Sequence, residues 1–245
     1  MDFSDSHAHL DRFPDIATVI SASRSSGCIA IITSGYTHEA NVAAISLAQK
    51  FPNFIFPCIG IAPSVAMDLS DEEFARQFDF VKSNAHKCVA IGEIGLDFHW
   101  AKTDAQIGRE YSAFSAQLDF ALEKKLPLVI HSRKAENEAI DSLISASAGK
   151  VLLHYFSGTP ELARKAAEAG FFFTTPPVKS NSRKRMLAEI PLDRILLESD
   201  CPYVAKTPCG AAEAASLVAE AKGISIEEAL TKATENARRF FGLNL

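Results

Sequence analysis

The chain has 245 residues, 47% of them apolar and 22% charged, with a formal net charge of −5. That balance belongs to a globular protein, and an α/β barrel commonly runs to about this length as one domain. The negative sum excludes a surface built for broad, sequence-independent duplex binding, which needs a strongly basic face. It leaves room for an enzyme that takes one strand end into a local basic pocket.

Short, almost continuously apolar runs recur along the chain at residues 3–6, 28–34, 54–61, 88–94, 128–131, 151–156, 171–175 and 194–198. Runs of this length and composition are expected to be strands buried on both faces. Helix-like segments separate them. Pro14 is expected to open the first helix, which ends near Gly27. Ser70 with Glu73, and Thr103 with Gln106, read as capping boxes. Thr159-Pro160 reads as a cap followed by a first-turn proline. Ser225 with Glu228 is expected to start a last helix running toward Phe240. Eight strand–helix alternations without a linker predict a single (β/α)8 TIM barrel over residues 1–245. An open doubly wound sheet is the rival, weakened by the lack of a glycine-rich dinucleotide fingerprint after the first strand.

Five cysteines are present, with no Cys-x-x-Cys pair. Their odd number reads as free thiols, with Cys28, Cys58 and Cys88 in the core. The N-terminus has neither a basic nor an apolar leader segment, and no run approaches the roughly 18–20 apolar residues of a membrane span. A cytoplasmic protein is expected, with no membrane and no obligate protein partner.

Barrels of this kind carry their chemistry at the C-terminal ends of the strands. His7 and His9 stand one residue apart where the first strand ends, and alternation aims both side chains the same way. Glu93 ends the fourth strand, His131 the fifth, His154 the sixth and Asp200 follows the eighth. A carboxylate among apolar neighbours is costly to bury unless it is paired or bound to a metal. Four imidazoles and two carboxylates suit two divalent ions sharing one carboxylate, with Glu93 the natural bridge. The remaining histidines, His38, His86 and His99, read as helix-start, helix-end and loop residues.

The segments Ser-His-Ala-His-Leu-Asp, Gly-Glu-Ile-Gly-Leu-Asp, His-Ser-Arg-Lys-Ala, His-Tyr-Phe-Ser-Gly and Leu-Glu-Ser-Asp-Cys-Pro-Tyr resemble the motifs of TatD-type metal-dependent deoxyribonucleases, of the amidohydrolase superfamily. The resemblance runs from Ser6 to the C-terminal Glu235-Asn-Ala-Arg-Arg-Phe. It implies a two-metal barrel hydrolase, with His7, His9, Glu93 and Asp200 around one ion and Glu93, His131 and His154 around the other. It also implies removal of nucleotides from a 3′ end of single-stranded DNA, supported by Mg²⁺ or Mn²⁺. Relatives are also linked to removing D-amino acids from tRNA. Two departures stand out. Ala62 occupies a position where the family often has histidine, and the segment after Pro202 lacks the family's basic, asparagine-containing stretch.

Glu93 and Asp200 are the candidate catalytic residues, Asp200 orienting the attacking water or taking its proton. Arg133, Lys179 and Ser157 are the candidate substrate contacts, the guanidinium suiting a phosphate. Lys179, Arg183, Lys184 and Arg185 form a basic run after the seventh strand. It serves either as a solvated helix face or as a backbone-phosphate contact. Tyr155, Phe156 and Tyr203 flank candidate ligands and are placed either to stack bases or to pack the rim. The donor set also tolerates Zn²⁺ or Ni²⁺. The rival functions are a small-molecule amide, lactone or phosphoester hydrolase and a binding protein with a silent site. Glu93, where many small-molecule relatives use a modified lysine, favours the nuclease.

Overall fold

The computed structural model describes residues 1–244; the last residue of the expected 1–245 span lies outside them. Eight strands are formed: β1 (Phe3–Ala8), β2 (Cys28–Ser34), β3 (Ile55–Ile59), β4 (Ala90–Gly95), β5 (Leu128–His131), β6 (Val151–Leu153), β7 (Phe172–Thr175) and β8 (Ile195–Leu197). They join one parallel sheet in chain order. The sheet curls so that β8 returns to β1. Just past the strands, Asp200 N donates to His7 O at 3.0 Å and His9 N to Cys201 O at 2.8 Å. This is a (β/α)8 barrel.

Helices α1 (Ile16–Ser25), α2 (His38–Lys50), α3 (Pro63–Ala66), α4 (Asp71–Asn84), α5 (Asp104–Lys124), α6 (Glu136–Ser145), α7 (Pro160–Glu168) and α8 (Asn181–Glu189) lie between the strands in sequence, and α9 (Gly210–Lys222) and α10 (Ile226–Phe241) follow β8. Helix α1 starts later than its proline suggests. Asp15 is the cap, its carboxylate accepting from Thr18 N, and Pro14 lies outside. The Ser70–Glu73 box forms in full. At α5 only half of the expected box exists. Thr103 caps Gln106 N, but Gln106 Oε1 accepts from Lys102 N, one residue earlier. No helix among the described residues is long and apolar enough to cross a membrane.

Alternation along the strands sorts side chains into two cores. Ile31, Ile91, Ile130, Leu153, Phe173 and Leu197 join the large cluster packed with the helices. Ile32, Cys58, Val129, Leu152, Phe172 and Leu196 form a separate cluster, joined by Phe240 and Phe241 at the end of α10. Phe172 and Phe240 rings meet at 5.1 Å between centroids. The second cluster fills the barrel and α10 closes its floor. Two residues further along each strand, the same inward face carries Ser34, His131, His154, Thr174 and Glu198. The functional layer is therefore the next inward step above an apolar plug. All five cysteines are free; Cys28 and Cys58 are buried as expected, whereas Cys88 is only partly so.

Candidate metal centre

Strand β1 runs two residues beyond the expected end, so His7 lies within it and His9 just past it. Their Nε2 atoms stand 3.2 Å apart. The other face of each ring is fixed by one residue: Ser34 Oγ lies 3.1 Å from His7 Nδ1, and Ser34 O accepts at 3.0 Å from His9 Nδ1. The two coordinating-type nitrogens are thus left facing inward.

Glu93 is buried where β4 passes this pair. Its Oε2 is 3.6 Å from His7 Nε2 and 3.8 Å from His9 Nε2. Its Oε1 is 2.7 Å from His131 Nδ1 and 3.9 Å from His154 Nε2. One carboxylate therefore presents one oxygen to each of two histidine pairs. Asp200 Oδ1 completes the first group, 3.5 Å from His9 Nε2 and 4.0 Å from His7 Nε2. His7–His9–Asp200 and Glu93–His131–His154 each place three donor atoms close enough to hold a metal ion. The six residues expected from strand ends all converge here.

Backbone geometry brings the late members in. Strand β6 stops at Leu153, earlier than expected, because Tyr155 takes φ +43° and turns the chain away after His154. Asp200 also sits at φ +46°, a conformation a non-glycine residue holds only when its surroundings impose it. The buried Asp5 carboxylate does so. It accepts from Ser199 N at 2.9 Å, Ser199 Oγ at 2.5 Å and His7 N at 3.3 Å, tying β1 to the turn that carries Asp200. Burial raises the Asp5 pKa well above the usual range, and the Ser199 hydrogen bonds act against that rise. Gly95 is required where β4 meets β5: a Cβ there would lie 1.9 Å from His131 O.

Two acids around the cluster stood inside the sequence motifs without being singled out. Asp97 Oδ2 lies 2.8 Å from His131 Nε2. Glu198 Oε2 lies 2.8 Å from His154 Nδ1 and accepts from Thr174 Oγ1 at 2.6 Å. Their signal was a carboxylate one or two residues from a ligand, placed to orient an imidazole from behind. They also set the charge state. Burial alone would lower the His131 pKa, but Asp97 and Glu93 lift it to about 10. Burial likewise opposes charge on His154, yet Glu198, Glu93 and Asp200 bring it to about 9. Burial, then the neighbouring His154 and His9 rings, hold His7 well below its ordinary value. Burial pushes Glu93 upward, but its His131 hydrogen bond and the surrounding imidazoles bring it well below the carboxylate range.

A cavity of about 670 Å³ opens over this cluster. Arg133 and Ser157 line it; Lys179 lines a second hollow with Lys184 and Glu220. The chain is not extended beyond His131. Arg133 instead reaches the rim from an exposed turn, its guanidinium 5.9 Å from the Trp100 ring centre. Ser157 Oγ donates to Glu136 Oε1 at 2.8 Å. Tyr155 and Tyr203 line the cavity, but Phe156 is fully buried against Phe173 and is not available to stack a base. Trp100, 53% exposed, stands at the rim in its place.

A parallel barrel with a buried His, Glu and Asp cluster at its C-terminal mouth defines the class: barrel hydrolases that depend on metal. The family model described as "TatD related DNase" matches residues 4–242, and the chain belongs to that family. It is 33% identical to the uncharacterized metal-dependent hydrolase YabD of Bacillus subtilis, over 98% of this chain and 99% of YabD. It is 32% identical to the 3′-5′ ssDNA/RNA exonuclease TatD of Erwinia tasmaniensis, over 92% of this chain and 93% of that one. Among solved structures, the TatD homolog YJJV of Escherichia coli superposes with a TM-score of 0.85 at 25% identity, covering 99% of this chain and 98% of YJJV.

Proposed function

We propose that the protein is a cytoplasmic, metal-dependent deoxyribonuclease that removes nucleotides from the 3′ end of single-stranded DNA. One observation carries the reading: Glu93 presents one oxygen to His7 and His9 and the other to His131 and His154. That arrangement fits a pair of divalent ions, one among His7, His9 and Asp200 and one between His131 and His154, with Glu93 shared. The mixed imidazole–carboxylate set accepts Mg²⁺ or Mn²⁺ for turnover and Zn²⁺ or Ni²⁺ as tighter occupants. Bound there, such ions supply Lewis acidity, making a water easier to deprotonate and drawing charge from a phosphoryl oxygen.

The chain's own residues do the rest. Asp200, the carboxylate at the cavity mouth, takes the proton from the attacking water as its oxygen bonds to phosphorus. The bond from phosphorus to the 3′ oxygen of the preceding nucleotide breaks, and that oxygen takes up the proton gained by Asp200, directly or through solvent, leaving a 3′ hydroxyl on the strand. Asp97 and Glu198 hold the His131 and His154 rings against rotation. Arg133 and Ser157 hold phosphate oxygens, and Tyr155, Tyr203 and Trp100 offer ring faces to bases. Lys179 meets the strand beyond the cavity. Membership of the TatD-related family and the 32% identity to the Erwinia exonuclease support this reading.

A second reading rests on Ala62, buried in the cavity wall where the family often has histidine. A missing imidazole suits a smaller phosphoester. One assay separates the two. Single-stranded DNA labelled at the 3′ or 5′ end is incubated with Mg²⁺, Mn²⁺ or chelator beside p-nitrophenyl phosphate, ester and lactone substrates and a D-aminoacyl-tRNA. Mononucleotide release from the 3′ end, abolished by chelator, is expected. Turnover confined to the small substrates or to the aminoacyl ester overturns the nuclease.

A further inference from the structure

Arg183 stands apart from the basic run it belongs to in sequence. Helix α8 buries Arg183, Met186 and Leu187, the i, i+3, i+4 stripe of one face, while Lys184 and Arg185 remain exposed. The residue is 8% exposed and lines the cavity over the metal centre. Its helix position is fixed by Ser180, whose hydroxyl accepts from Arg183 N at 3.1 Å.

A buried guanidinium ordinarily has its five donors satisfied, most often by a carboxylate. Arg183 does not. The arginines with ion pairs among the described residues are Arg12, Arg164 and Arg239. Arg183 has two long hydrogen bonds from one nitrogen, 3.4 Å to Phe156 O and 3.5 Å to Thr175 Oγ1. Its Nε is buried without a partner. The Tyr155 ring lies beneath it at 5.0 Å, and that ring centre is 6.2 Å from His154. Desolvation lowers the Arg183 pKa, so its charge is held at a cost that a bound anion would relieve.

We propose that Arg183 is the seat of a second phosphate of the substrate, the one adjacent to the phosphate undergoing attack. The proposal rests on the nuclease reading above, because a nucleotide chain brings a second phosphate one nucleotide away from the phosphate under attack. A planar fork with unused donors, lining the same cavity as the metal-centre residues, matches a phosphate rather than a single carbonyl acceptor.

The test compares ligands that differ by one phosphate. Thymidine 3′,5′-bisphosphate and thymidine 5′-monophosphate are titrated into the Mg²⁺-loaded protein, with quenching of Trp100, the sole tryptophan, as the readout. The bisphosphate is expected to bind about tenfold or more tightly in the wild type, the worth of one charge-assisted contact. The ratio should fall to near one in Arg183→Met and to an intermediate value in Arg183→Lys, which also serves if the Met variant does not fold. In the cleavage arm, pTpT should have a lower KM than TpT only when Arg183 is present. A wild-type ratio near one, or a ratio unchanged by either substitution, overturns the proposal. A ratio that responds to Arg183 while neither dinucleotide is cleaved upholds the phosphate seat and overturns the nuclease reading instead.

Discussion

At the scale of single residues, Asp97 and Glu198 decide what the histidines can do. Each accepts from the outer nitrogen of its imidazole at 2.8 Å, which fixes both ring orientation and tautomer. Asp97→Asn still reaches His131, but its amide no longer stabilises charge there. It should lower metal affinity or turnover by about 10- to 100-fold with little change in KM; unchanged metal content and unchanged kcat would show that Asp97 merely packs. The same acids predict how ions enter. With His131 at about 10 and His154 at about 9, both rings carry protons at pH 7.5 before an ion arrives. Ligation needs the neutral ring, so Mn²⁺ loading should release about two protons there and progressively fewer as pH rises past 9. Calorimetry in two buffers of different ionisation enthalpy measures this directly, and loading without proton release would place the ions elsewhere. The six inner residues were legible in the sequence because each lies near or just past the C-terminal end of a strand. Arg183 looked like one cation in an exposed run, since only the helix phase separates it from Lys184.

At the scale of elements, the strands were readable because a parallel sheet buries both faces and leaves no polar alternation to confuse the pattern. Their ends were less readable. Tyr155 turns out of β6 at positive φ, so Phe156 packs into the core instead of the rim, and nothing in an apolar run announces such a turn. Couplings between elements were not visible at all. Glu110 in α5 accepts from Asp97 N at 2.8 Å, so a helix on the outside of the barrel holds the loop that positions His131. Burial raises the Glu110 pKa to about 7. A carboxyl that is easier to protonate in the folded chain than in the unfolded one binds extra protons between about pH 4.5 and 7 when folded. Stability from this group is therefore present below that window and is lost as pH rises through 7. Glu110→Gln keeps the acceptor and removes the titration. The variant should match or fall below the wild type near pH 5 and exceed it at pH 8, by roughly 2–3 kcal/mol at most. Denaturant midpoints across pH check the crossing; parallel curves would show that Glu110 is charged and solvated throughout.

At the scale of the whole molecule, a net charge of −5 has to be reconciled with the polyanionic substrate proposed above. The reconciliation lies in where the cations are. Arg133 and Arg183 face the cavity, while Lys184 is paired with Glu220 at 2.6 Å on the hollow that Lys179 shares. Attraction from these two arginines is thus local to the mouth. A protein that tracks DNA over many phosphates shows a steep loss of affinity with salt, each neutralised phosphate of a single strand contributing about −0.7 to the slope of log K against log salt. Two cavity arginines, with or without Lys179 in the second hollow, predict a shallow slope, about −1.4 to −2.1. The KM for single-stranded DNA should stop improving once the strand exceeds a few nucleotides. Measuring KM for oligonucleotides of increasing length, each across a range of NaCl, tests both statements together. A slope several times steeper, or a KM that keeps falling with length, would require a phosphate-binding track outside the cavity.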